Sequence, residues 1–130
     1  MSEKEKILVV DDEPSIRKYL QTLLEVEGFD VEAVGSGKDA IRRVGNGERP
    51  DFIILDVLMP EMGGLETLQE LMHLDRSLNV IMLSCSNEVG TVVEAIRLGA
   101  HDYLTKPIDV TQLLSLLDAS AAAKVACPAC

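Results

Sequence analysis

The sequence predicts an α/β domain: a doubly wound, five-stranded parallel sheet with five helices. Two observations carry this. Five short apolar runs, Ile7–Val10, Val31–Val34, Phe52–Leu55, Val80–Leu83 and Tyr103–Leu104, are spread along the chain. Three are continuous and rich in β-branched residues, the pattern of strands covered on both faces. Between and after them, apolar residues recur at three- and four-residue spacing, as on one side of a helix. Strand and helix alternating five times imply a parallel sheet with right-handed crossovers and helices on both faces.

The elements follow in order. After the first run, Asp12 is a candidate N-cap and Pro14 suits a first helical turn. Ile16, Leu20, Leu23 and Leu24 then line one side of a helix that Gly28 stops. After the second run, Ala40, Ile41 and Val44 do the same before Gly45. The third run ends in Asp56 and the segment VLMPEMGG, after which Leu65, Leu68 and Met72 form a stripe. Val89, Val92, Val93 and Ile96 form the next, ending at Gly99. Asp109 is placed to cap a last helix bearing Leu113, Leu114, Leu117 and Ala121.

Size and composition bound the function. A chain of 130 residues is one domain and can bury a core without disulfides or metal. A formal charge of -10 argues against nucleic-acid binding by this segment, since phosphates repel such a surface. The charged start MSEKEK and the lack of any apolar run near twenty residues predict a cytoplasmic protein that does not span a membrane. Cys85, Cys127 and Cys130 are an odd count and suggest no disulfide framework.

In open parallel sheets the functional crevice lies beyond the carboxyl ends of the strands. Asp11-Asp12, with Glu13 after, ends the first strand; Asp56 ends the third; Ser84-Cys85 ends the fourth; Thr105-Lys106-Pro107 ends the fifth. If the first and third strands are neighbours, the acids converge, and like charges so close cannot all ionise cheaply. A hard divalent cation relieves this, and oxygen-only ligands suit magnesium. With the Lys106 cation and the Ser84 hydroxyl, the set forms a receptor for a phosphoryl group, with Asp56 as nucleophile.

The segments VVDDEPSIR, ILDVLMPEMGG, IMLSCSN and GAHDYLTKPID together resemble the receiver domain of bacterial two-component response regulators, over roughly residues 5 to 122. The resemblance implies a flavodoxin-like sheet of order 2-1-3-4-5 and phosphotransfer from a histidine kinase or phosphotransfer protein to Asp56. It implies Mg2+ held directly by Asp12 and Asp56, by Asp11 largely through water, and by the backbone carbonyl of Leu58. Ser84 and Lys106 would hold the phosphoryl oxygens, the Lys106-Pro107 bond would be cis, and Ser84 and Tyr103 would form the conformational switch. Taken alone, Tyr103 reads as a half-buried strand tyrosine. Residues 88–121 would carry the partner contact or a homodimer.

Some positions depart from the pattern. Leu58, two past Asp56, is apolar where relatives that hydrolyse quickly often carry an amide or acid; with Cys85 and Ser86 it is expected to set access and the lifetime of the phosphoryl group. Cys85 either narrows the opening or packs. Leu58 also argues against a phosphatase of the haloacid-dehalogenase kind, which needs a second acid there. A binding module without phosphorylation would be expected to lack part of the acid, Ser and Lys set, and none is lacking. Residues 1–124 are read as the receiver, and 125–130, with Cys127 and Cys130, as a tail or the start of a linker. The segment LSCSNEVGTVVEAIRLGAHDYLTKPID is similar to nitrogen-regulator-type receivers, which precede an ATPase module and a DNA-binding helix pair. That favours transcriptional output through a further module; a stand-alone receiver, acting by protein contact or in a phosphorelay, is the alternative. His73 and His101 read as surface residues.

Overall fold

The computed structural model describes residues 4–85 and 88–124; Ser86 and the 125–130 tail with its two cysteines lie outside the described residues. The elements are β1 (Lys6–Val10), α1 (Pro14–Val26), β2 (Asp30–Val34), α2 (Gly37–Gly45), β3 (Phe52–Asp56), α3 (Gly64–Leu74), β4 (Val80–Ser84), α4 (Val89–Leu98), β5 (Asp102–Thr105) and α5 (Val110–Lys124). All strand pairs are parallel and the sheet order is β2-β1-β3-β4-β5, so β1 and β3 are neighbours as the convergence of acids requires.

Period-two alternation splits the core in two. Leu8, Val10, Ile53, Leu55, Val80 and Met82 face Ala40, Val44, Leu68, Leu71 and Ala95 of α2, α3 and α4. Ile7, Val9, Phe52, Ile54, Ile81 and Leu83 face Leu20 and Leu24 of α1 and Leu113 and Leu117 of α5. The continuous runs are the strands covered on both faces, as their composition predicts.

Two local expectations are corrected. Glu13, not Asp12, is the N-cap of α1, because Pro14 takes the first helical position and leaves the residue before it in extended conformation. Helix α2 runs through Gly45; Asn46 caps it, and the left-handed turn falls at Gly47, φ +101°. The α4 stripe does not face the core. Val89 is 76% exposed and Val93 and Ile96 are half exposed, while Ala95 is fully buried. The helix meets the sheet near its β5 edge, where the small Ala95 allows close approach. Asp109 caps α5 as expected, its Oδ1 accepting from the Gln112 N–H at 3.1 Å.

The glycine pair after β3 has an asymmetric cause. A Cβ on Gly64 would lie 2.2 Å from the Asp56 carbonyl oxygen and 2.6 Å from the Val57 Cα, both backbone atoms that cannot swing aside. The Gly64 N–H donates to the Val57 carbonyl at 2.8 Å, so α3 starts directly against the end of β3. A Cβ on Gly63 would meet nothing nearer than 3.8 Å, and Gly63 is the N-cap of α3 at φ −72°. Serine at the two positions should therefore differ in chemical denaturation. Gly64→Ser is expected to cost about 3 kcal/mol by overpacking, and Gly63→Ser to stay within about 0.5 kcal/mol of wild type or stabilise through a capping hydroxyl. Equal losses would contradict the steric assignment.

Candidate functional site

The parallel register brings the strand ends together. Val10 pairs with Leu55 and Asp56 with Leu83, so Asp11, Asp56 and Ser84 emerge side by side at one edge of the sheet. The Lys106 N–H donates to the Ser84 carbonyl at 2.7 Å, which carries the chain leaving β5 to the same place. The Lys106-Pro107 peptide bond is cis.

Asp11 and Asp56 are 1% and 4% exposed, and Ser84 is fully buried. Lys106 Nζ lies 3.2 Å from Asp11 Oδ2 and 3.5 Å from Asp56 Oδ1, with Glu13 Oε1 at 4.0 Å on its solvent side. Asp11 is held at every polar atom. Its N–H donates to the Val34 carbonyl at 3.2 Å. Its carbonyl accepts from Arg17 Nη1 at 2.6 Å, and its Oδ1 accepts from the Glu13 N–H at 2.9 Å. Asp12 is half-buried, and one carboxylate oxygen each from Asp11, Asp12 and Asp56 lie within 4.8 Å of one another.

Burial pushes the Asp56 carboxyl up, Asp11 beside it pushes it further, and the Lys106 ammonium and the Leu58 N–H pull it back, leaving it at about 6. Burial pulls the Lys106 ammonium down, but the Asp56 and Asp11 carboxylates outweigh it and hold Lys106 above its usual value. Three clustered carboxylates, one of them held above its usual range, with oxygen donors only, suit a hard divalent cation.

The remaining expected residues border this centre. Leu58 is 59% exposed beyond Asp56, and Cys85 is exposed beyond Ser84. Tyr103 is half-buried on β5 and packs on the core cluster of the α2–α4 side. Sequence reasoning missed Arg17 and the Leu58 N–H as contacts of the acids; both act through the backbone, which composition and spacing do not display.

The raised Asp56 has a consequence for stability without added cation. The folded state holds this proton to higher pH than the unfolded chain, whose value is near 3.8. The stabilisation is complete below pH 4 and is lost as pH rises toward 6. Asp56→Asn in EDTA is expected to match wild type in urea unfolding near pH 4. At pH 7 it should be more stable, on the order of 3 kcal/mol. A difference that does not change with pH would contradict the burial of this charge.

Comparisons with known proteins agree with this fold. Residues 7–118 match the response regulator receiver domain family. The chain is 37% identical over 108 residues to the regulatory protein AtoC of Escherichia coli, covering 83% of this chain but only 23% of AtoC. It is also 37% identical over 117 residues to the chemotaxis protein CheY of Listeria monocytogenes, covering 89% of this chain and 98% of that protein. The fold superposes on the crystallised chemotaxis protein CheY4 of Vibrio cholerae with a TM-score of 0.83 at 30% identity, over 89% of this chain and 98% of that one. Among the described residues, no helix is long and apolar enough to cross a membrane. With the family matched across nearly the whole sheet and its flanking helices, the chain belongs to the response regulator receiver domains.

Proposed function

We propose that this domain is a phosphoacceptor switch in which Asp56 takes a phosphoryl group from the phosphohistidine of a histidine kinase or phosphotransfer protein. The observation that carries this is a buried carboxylate at the mouth of the sheet, 3.5 Å from a lysine ammonium and beside two further acids. An Asp56 carboxylate oxygen attacks phosphorus, the P–O bond forms as the P–N bond breaks, and the imidazole leaves with the electron pair. Lys106 and the Ser84 hydroxyl would meet the phosphoryl oxygens.

Asp12, Asp56 and the Leu58 carbonyl would hold Mg2+ directly. Both Asp11 oxygens already accept hydrogen bonds, from the Glu13 N–H and from Lys106, which favours a water-mediated part for Asp11. The ion would supply positive charge against the phosphoryl oxygens.

Phosphorylation would favour one of two conformations. Ser84 would close on the phosphoryl group, and half-buried Tyr103, next to Leu104 on β5, would turn inward. The change would be read within residues 88–121, where Val89, Val93 and Ile96 offer an apolar face to a partner or a second copy. Residues 1–124 would be the receiver unit. Transcriptional output through a further module is supported by the match to 42% of the alkaline phosphatase synthesis transcriptional regulatory protein PhoP of Bacillus subtilis. The coverage of nearly all of Listeria CheY supports the second reading, a stand-alone receiver acting by contact or in a phosphorelay.

Acetyl phosphate with Mg2+ should add one phosphoryl group, seen by intact mass and mapped to Asp56. Asp56→Asn should stay unlabelled, and equal labelling of that variant would overturn the assignment. The rim should set lifetime. Leu58 presents exposed apolar surface two residues past Asp56, with no group to orient an in-line water. Once the donor is removed, Leu58→Asn with Ser86→Glu is expected to lose label about tenfold faster, equivalent to about 1.4 kcal/mol of barrier. An unchanged or slower decay would remove Leu58 and Ser86 from control of the lifetime.

A further inference from the structure

We propose that Arg17 is a positioning residue for the acid pair and that, with Gly35, it bridges the β2–α2 turn to the β1–α1 turn. This rests on the cation reading above and deepens it. Arg17 Nη1 donates to the Asp11 carbonyl at 2.6 Å, a short, charge-assisted bond. That carbonyl belongs to the same planar peptide unit as the Asp12 N–H. Clamping it fixes the plane from which the Asp12 side chain departs, so the bond sets how Asp12 faces Asp56.

The preceding peptide unit is tied to β2: the Asp11 N–H donates to the carbonyl of Val34, the residue before Gly35. Arg17 passes over Gly35 so closely that a Cβ there would lie 3.1 Å from Nη1, and the three nearest atoms it would meet all belong to the Arg17 guanidinium. The backbone at Gly35 is not left-handed, so alanine is conformationally allowed and the missing Cβ is a matter of room for the guanidinium. Neither Arg17 nor Gly35 is in the acid, Ser and Lys set that would touch the phosphoryl group.

The test is a double-mutant cycle read by calorimetric Mg2+ titration, with urea unfolding in parallel. Loss of a residue that orients a metal ligand weakens metal binding by about tenfold or more, and Arg17→Met is expected to do so. Gly35→Ala, which displaces the guanidinium without deleting it, is expected to weaken Mg2+ by about threefold, within the same mechanism. In the Arg17→Met background the alanine should have no further effect. At saturating Mg2+, labelling of Arg17→Met by acetyl phosphate should recover to within about twofold of wild type, since no reacting group has been removed. Wild-type Mg2+ affinity in Arg17→Met, or in Gly35→Ala should the first variant fail to fold, would overturn the proposal. So would an alanine effect that persists undiminished without Arg17. Failure of wild type itself to bind Mg2+ would overturn the cation reading together with this one.

Discussion

Asp11 and Asp56 are both almost withdrawn from water, and the Lys106 ammonium stands between them, 3.2 Å from one and 3.5 Å from the other. One positive charge cannot neutralise two carboxylates, and half-buried Asp12 adds a third. The balance shows in Asp56, which keeps its proton to about pH 6 despite the lysine. A site of this kind holds unmet electrostatic demand, of the kind a divalent cation would meet.

The fold exists to keep these groups from drifting apart. β3 is buried along its whole length, so Asp56 is presented by a strand that cannot tilt. Gly64 lets α3 start against the Asp56 carbonyl. Three contacts hold the Asp11 backbone and Oδ1, from β2, from α1 and from its own turn. Lys106 is delivered by its own N–H bond to the Ser84 carbonyl. Rigidity is thus concentrated in the acids and the lysine. The rim residues Leu58 and Cys85 and the outward side of α4 are left exposed, where a partner or solvent can reach them.

The sheet and the chemical centre were legible for physical reasons. Strands buried on both faces must be apolar throughout, so Phe52–Leu55 and Val80–Leu83 announce themselves, and a charged residue that ends such a run, as Asp56 does, stands out. Side chains that act through backbone atoms leave no such mark. Arg17 reads as one more basic residue on a helix, and Gly35 as one more turn glycine. The stripe on α4 was legible as a helix but not as an exposed one, because spacing shows that Val89, Val93 and Ile96 share a side without showing what covers it. The cap of α1 was misplaced by one residue because Asp12 is a better capping type than Glu13, and the position of Pro14 decides otherwise.

The most direct measurement is a carboxyl carbon NMR titration of Asp56 with and without Mg2+. A buried carboxylate beside Asp11, only partly compensated by Lys106, should titrate at about 6 in EDTA. With saturating Mg2+ its midpoint should fall below the ordinary aspartate value of about 3.9. A midpoint near 4 in EDTA, or one that Mg2+ leaves in place, would contradict the electrostatic deficit on which the site is built.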